Sequence, residues 1–161
     1  MAGLNHDFLL LDRDVDGEWD LLAFVNDRRA LHLHDDVLRY MADTLAWIPT
    51  YNPARREQHR GLCWYGPTII GVDGAETAER VFRGWADIFA AGPSVLMLTG
   101  SFGWTVAGDP DHPSLAEQQR GAYERLEFDR DSLVALLRQL AGYAAEVRAA
   151  TGRLYLLHDG I

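Results

Sequence analysis

His32-Leu33-His34-Asp35-Asp36 is the part of this sequence whose residue types could most directly do chemistry. On an extended segment an H-x-H pair turns both imidazoles to one face, as metal ligation requires. A longer zinc pattern, H-x-H-x-D-H, would place a third histidine where Val37 stands. The same acids are good helix caps, so the expectation is a solvated turn entering a capped helix, with His32 and His34 as the runner-up metal ligands. Asp12-Arg13-Asp14-Val15-Asp16-Gly17 has the aspartate spacing of a calcium loop, but the bidentate glutamate such a loop needs at its twelfth position is replaced by Ala23. Asp-Gly is also a favoured hairpin turn, and that reading is preferred. Ser101 is not a nucleophile elbow, because Thr99 holds the place of the first glycine. His112 and Asp109 could complete a triad with Ser101, yet their spacing favours this no more than an ordinary turn. His6, His59 and His158 are scattered. No catalytic residue, metal or cofactor is assigned, and the chain is expected to bind a partner, not to catalyse a reaction.

Composition narrows the classes further. The 161 residues suit a single domain spanning 1–161, and 48% hydrophobic with 11% aromatic content suffices for a sizeable core. The net charge of −9 argues against nucleic acid or an anionic membrane as the partner, and favours a basic one. All fifteen basic residues are arginine, which excludes Schiff-base, P-loop and Ser-Lys chemistry. Cys63 is the only cysteine, so neither an internal disulfide nor a multi-cysteine zinc site can form. With no signal-peptide pattern in 1–7 and no apolar run near the roughly 20 residues that span a bilayer, a cytoplasmic location is expected.

The elements follow from periodicity. Phe8 to Leu11 and Trp19 to Val25 predict a hairpin about Asp16-Gly17. His34, Asp35 or Asp36 caps a helix carrying Val37, Leu38, Met41, Leu45 and Ile48 on one face. Residues 49–66 predict a long ordered loop with a possible short strand, and Thr68 to Val72 a central strand apolar on both faces. A second helix holds Ala78, Val81, Phe82, Trp85, Ile88 and Phe89 inward, with Glu76–Arg80 and Glu79–Arg83 pairs outside, and stops at Gly92-Pro93. Ser94 to Thr99 predicts another strand buried on both sides. Ala122 to Phe128 predicts a half-exposed strand with Leu126 and Phe128 inward. Asp129 or Asp131 caps a third helix with the stripe Leu133, Leu136, Leu137, Leu140, Ala144 and Val147, ended by Gly152 at C′. Arg153 to His158 closes the chain as a strand. The order ββ-α-β-α-β-β-α-β is α+β with mixed layers: one central sheet and about three helices.

Two sets of side chains are candidates for a partner. Asp12, Asp14, Asp16, Glu18 and Asp20 crowd the predicted hairpin, inside a segment, 1–36, that holds nine acids against three arginines. They form either an acidic ridge facing a partner or a merely solvated face. Tyr51, Trp64, Tyr65, Phe102 and Trp104 fall in or beside loops, where aromatics serve as lids over a core or as interface anchors. The lid reading is preferred in general, and Tyr51, Trp64, Tyr65 and Trp104 are kept as partner contacts.

The run Trp47-Ile48-Pro49-Thr50-Tyr51-Asn52-Pro53 and the run Gly61-Leu62-Cys63-Trp64-Tyr65-Gly66-Pro67-Thr68-Ile69-Ile70 resemble immunity proteins of bacterial polymorphic-toxin systems, among them contact-dependent growth inhibition. So do Gly84-Trp85-Ala86-Asp87-Ile88-Phe89, Gly92-Pro93 and Leu98-Thr99-Gly100-Ser101-Phe102. The resemblance covers about residues 45–104 and rests on Gly, Pro and aromatic positions that mark a fold. It implies a small cytoplasmic protein that binds a cognate toxin domain and blocks it. Such toxins are often nucleases with basic clefts, which an acidic chain would suit. No catalytic residues carry over, and toxin-contacting positions vary between members.

Overall fold

A computed structural model describes residues 4–12, 29–105 and 120–161. The described elements run β1 (Asn5–Leu11), β2 (Leu31–His34), α1 (Asp35–Tyr40), α2 (Ala42–Leu45), β3 (Pro49–Asn52), β4 (Glu57–Arg60), β5 (Gly66–Ile70), α3 (Val72–Ala90), β6 (Val95–Thr105), β7 (Arg120–Asp129), α4 (Arg130–Ala149) and β8 (Tyr155–Gly160). The fold is α+β, as expected. Its strands divide into a six-stranded sheet, order β2-β1-β8-β5-β3-β4, and a separate ribbon, β6-β7. All described pairings are antiparallel.

Apolar residues on both faces of the central strands explain the layering. One face of the large sheet turns Phe8, Leu33, Ile70 and Leu156 toward α3 and α4, whose stripes supply Ala78, Phe82, Ala86, Leu137, Leu140 and Ala144. The opposite face buries Leu9, Leu11, Ile69 and Leu157, with Tyr51 and Tyr155 packed against them. The expected central strand is β5, lying between β8 and β3. On the outside of α3, Glu76 pairs with Arg80 at 2.7 Å; Glu79, expected on the same face, still pairs with Arg83 at 2.6 Å but from a buried position. Glu79 is itself buried, and its second oxygen lies 2.9 Å from Arg148 of α4, an ion pair without hydrogen-bond alignment that links the two helices.

Several expectations are corrected. One sheet was expected, and the ribbon is a second. Ser94 to Thr99 is not buried on both sides: Val95 and Met97 face outward, 45% and 56% exposed, while Leu96 is buried. Residues 49–66 hold a strand pair, β3 and β4, closed by a turn in which Asn52 Oδ1 accepts from the Arg55 amide at 3.1 Å. Glu57-Gln58-His59-Arg60 carries no apolar residue, so no alternation announces β4. It is an exposed edge strand. The first helix breaks at Met41 into α1 and α2, although its predicted inward residues are all buried. The helix α4 ends earlier than expected, with Thr151 at φ 50 preceding Gly152 at φ 92. Leu126 is buried and Phe128 half-buried, as predicted, and Asp129 caps α4 by accepting from the Ser132 amide at 2.8 Å. The predicted hairpin gave β1 the partner Trp19 to Val25, whereas its neighbours in the sheet are β2 and β8; Trp19 to Val25 and the Asp16-Gly17 turn themselves lie outside the described residues.

Gly74 in the first turn of α3 allows that helix to meet β3. A Cβ there would overlap the Pro49 carbonyl. Gly74→Ala should therefore cost about 1–3 kcal/mol, as overpacking does. Gly84, on the same helix, has no atom within 4 Å of where a Cβ would stand. Its replacement by alanine should instead gain about 0.5–1 kcal/mol. Urea unfolding of the two variants checks the opposite signs.

Candidate functional site

The chain's chemically capable side chains converge where β1 and β8 pair. In the register Asp7↔Asp159 and Phe8↔His158, His6 and His158 are diagonal neighbours on the core face. Both rings are fully buried. Extending that register sets Gly160 beside His6. A Cβ on Gly160 would overlap the Cys63 and Trp64 carbonyls, so its lack of a side chain admits the 61–65 segment. That segment is pinned by Cys63 N to Thr68 Oγ1 (2.8 Å), Thr50 Oγ1 to the Gly61 carbonyl (2.8 Å) and Ile161 N to the Trp64 carbonyl (3.1 Å). Trp64 is thereby set edge-on to His6, ring centres 5.0 Å apart.

A hydrogen-bonded chain runs through this point. His6 Nδ1 lies 2.8 Å from His158 Nε2, and His6 Nε2 lies 3.3 Å from Asp35 Oδ1. Asp35 Oδ2 meets Arg39 Nη2 at 3.3 Å, and the Arg39 guanidinium lies 5.3 Å from the centre of the Trp64 ring. Arg39 Nη1 also donates to Ser101 Oγ at 3.4 Å, reaching the ribbon. The proton positions follow from the acceptors. A carboxylate can only accept, so His6 carries its proton on Nε2; its Nδ1 lone pair then accepts from Nε2–H of His158. His158 Nδ1 is left as a buried lone pair with no partner among the described residues.

Burial holds both imidazoles neutral. The His158 pKa is pushed down to about 3, chiefly by desolvation and secondarily by His6. Burial also lowers His6, with the hydrogen bond and charge of Asp35 opposing it. On the other sheet face Asp7 and Asp159 are cross-strand neighbours, and burial with the nearby Asp7 charge raises the Asp159 carboxyl. Asp7 also bonds His32 Nδ1.

His32 and His34 lie on edge strand β2, where a solvated turn was expected. His34 is the N-cap of α1, its Nδ1 accepting from the Asp36 amide at 3.1 Å. Each is thus engaged locally, His32 by Asp7 and His34 by α1. Both border a cavity of about 220 Å³ shared with Asn5, Val37, Phe128 and Ser132. Among the described residues no group of three or more His, Cys, Asp or Glu is placed to hold a metal.

The other predicted residues disperse. Tyr51 packs on the Leu9–Leu157 cluster and Trp64 on the main core, so both act as lids. Tyr65 stands 75% exposed. Trp104 lies in β6. Asp12 is exposed; Asp14, Asp16, Glu18 and Asp20 lie outside the described residues, as do Asp109 and His112. Sequence reasoning missed the His6–His158 pair, 152 residues apart. The one signal was a histidine inside each terminal apolar strand. It also passed over Trp47, 60% exposed. Comparison with family models, curated proteins and solved structures finds no match.

With both rings fully buried, this chain of bonds fastens β1, β8, α1 and the Trp64 loop together. Its pH dependence has a definite sign. The unfolded chain binds a proton on His158 near pH 6.5 while the folded one resists until about 3, so stability is full above pH 6.5 and falls as pH drops through that window. Urea titrations at about pH 7.5 and 4.5 should show this loss, and His158→Phe should reduce it by up to one proton's linkage. Equal pH slopes in the two proteins would contradict the assignment.

Proposed function

We propose that the chain is an immunity protein that binds a cognate toxin domain in the cytoplasm and neutralises it by covering its active site or substrate surface. The observation that carries this is the pair Trp47 and Tyr65, 60% and 75% exposed, within the segment that resembles such proteins. Large aromatics left in solvent cost hydration free energy and are the side chains that dominate interface hot spots. The net charge of −9 favours a basic partner, such as a nuclease domain, and disfavours nucleic acid or anionic lipid. No described helix is long and apolar enough to cross a membrane. In this reading Asp12 and the acids that follow it steer encounter, while Trp47 and Tyr65 supply affinity.

A second reading, a small metal-dependent enzyme using His32 and His34, draws on the cavity those residues border. Metal analysis of the purified protein separates the two, since stoichiometric zinc or manganese would favour the second.

Coexpression with the product of the adjacent reading frame tests the first. The chain should rescue growth and co-purify with that product. Trp47→Ala and Tyr65→Ala should each weaken the complex by roughly 30-fold, the equivalent of a hot-spot loss of about 2 kcal/mol. A neighbour that is not toxic and does not bind, or a complex indifferent to both changes, contradicts the proposal.

A further inference from the structure

Four ring nitrogens stand in series from Asp35: His6 Nε2, His6 Nδ1, His158 Nε2 and His158 Nδ1. The first lies 3.3 Å from the carboxylate, and the middle pair is 2.8 Å apart. In the neutral pair each ring carries its proton on Nε2. His158 Nδ1 ends the series as a fully buried lone pair with no partner among the described residues. A bare basic nitrogen at one end and a carboxylate at the other is an arrangement that can pass a proton along.

An added proton has one nitrogen to bond, His158 Nδ1, because the other three are engaged. Where the charge then rests depends only on the proton shared between the rings. If that proton stays on His158 Nε2, the imidazolium is His158. If it crosses the 2.8 Å line to His6 Nδ1, the bond at His158 Nε2 breaks and its electron pair remains there as the new acceptor. The imidazolium is then His6. Both forms hold the same hydrogens, but only the second sets positive charge against Asp35.

The surroundings of the pair favour that second form. α1 presents Asp35 with Arg39 behind it, and β1 and β8 add Asp7 and Asp159 on the far face. β2 presents Leu33, β5 Thr68 and the 61–65 segment Trp64, none of them charged. The buried residues of α4 are apolar, and Glu79 of α3 is held by Arg83 and Arg148. Burial and the neighbouring His6 both oppose charge on His158. A second proton would set two imidazoliums side by side, so the pair accepts one.

We infer that the His6–His158 pair is a one-proton relay: on acidification the folded protein bonds a proton at His158 Nδ1 and seats the charge on His6, leaving His158 neutral in its opposite tautomer. Acid thus reverses the joint between β1 and β8 without severing it. The donor becomes His6, which also makes a charge-assisted bond to Asp35. The relay is independent of the function proposed above.

Nitrogen-15 NMR of the histidine rings, followed from about pH 5 downward, reads this step directly. His6 should become an imidazolium with both nitrogens protonated. In the same step His158 should stay neutral while its two signals change over, Nδ1 from bare to protonated and Nε2 from protonated to bare. Arg39→Gln, at an exposed position, removes a cation that lowers the His6 pKa and should move the step to higher pH. A His158 imidazolium, a His6 step with no change at His158, or a step in Arg39→Gln at the same or lower pH overturns the inference. So does unfolding before either ring is charged.

Discussion

A hydrogen bond between two buried neutral imidazoles, His6 and His158, joins the first and last described strands at 2.8 Å. Its strength comes from the same burial that would make it costly if broken. In a low-dielectric interior an imidazole left without its partner loses the full desolvation free energy, so each ring holds the other in place. Asp35 then orients His6, Arg39 neutralises Asp35, and Trp64 covers the group from above. One network thereby fixes the first and last described strands, the entry to α1 and the loop ahead of β5.

The aromatic side chains divide accordingly. Trp64 and Tyr51 cover the core, and Trp85 donates its indole N–H to Thr44 Oγ1 at 2.7 Å while packing on Tyr40 and Phe89. These satisfy the fold. Trp47 and Tyr65 stand in solvent within the same stretch of sequence. In the function proposed above these two exposed rings supply the contact, and the acidic balance of the chain favours a basic partner.

Much of the fold was legible. The stripes of α3 and α4 have helical spacing, although Ile88, expected inward on α3, stands 60% exposed; the Asp129 cap has a side chain that can reach Ser132, and β5 is apolar on both faces because it is central. What failed to show has physical causes. β4 is an edge strand solvated throughout, so it has no hydrophobic period. The outward face of β6 is apolar like its inward face, and alternation cannot distinguish that from burial on both sides. His6 and His158 meet only through strand order, and a single sequence carries no information on which strands pair across 152 residues. The candidate site was therefore read at its edges, at Trp64 and Asp35, and missed at its centre.

Nitrogen-15 NMR of the histidine side chains tests the buried pair most directly. The account predicts that His158 stays neutral from about pH 7.5 to 5, and that both rings are protonated on Nε2 with Nδ1 bare. A His158 ring that becomes an imidazolium within that window, or that carries its proton on Nδ1, would contradict it.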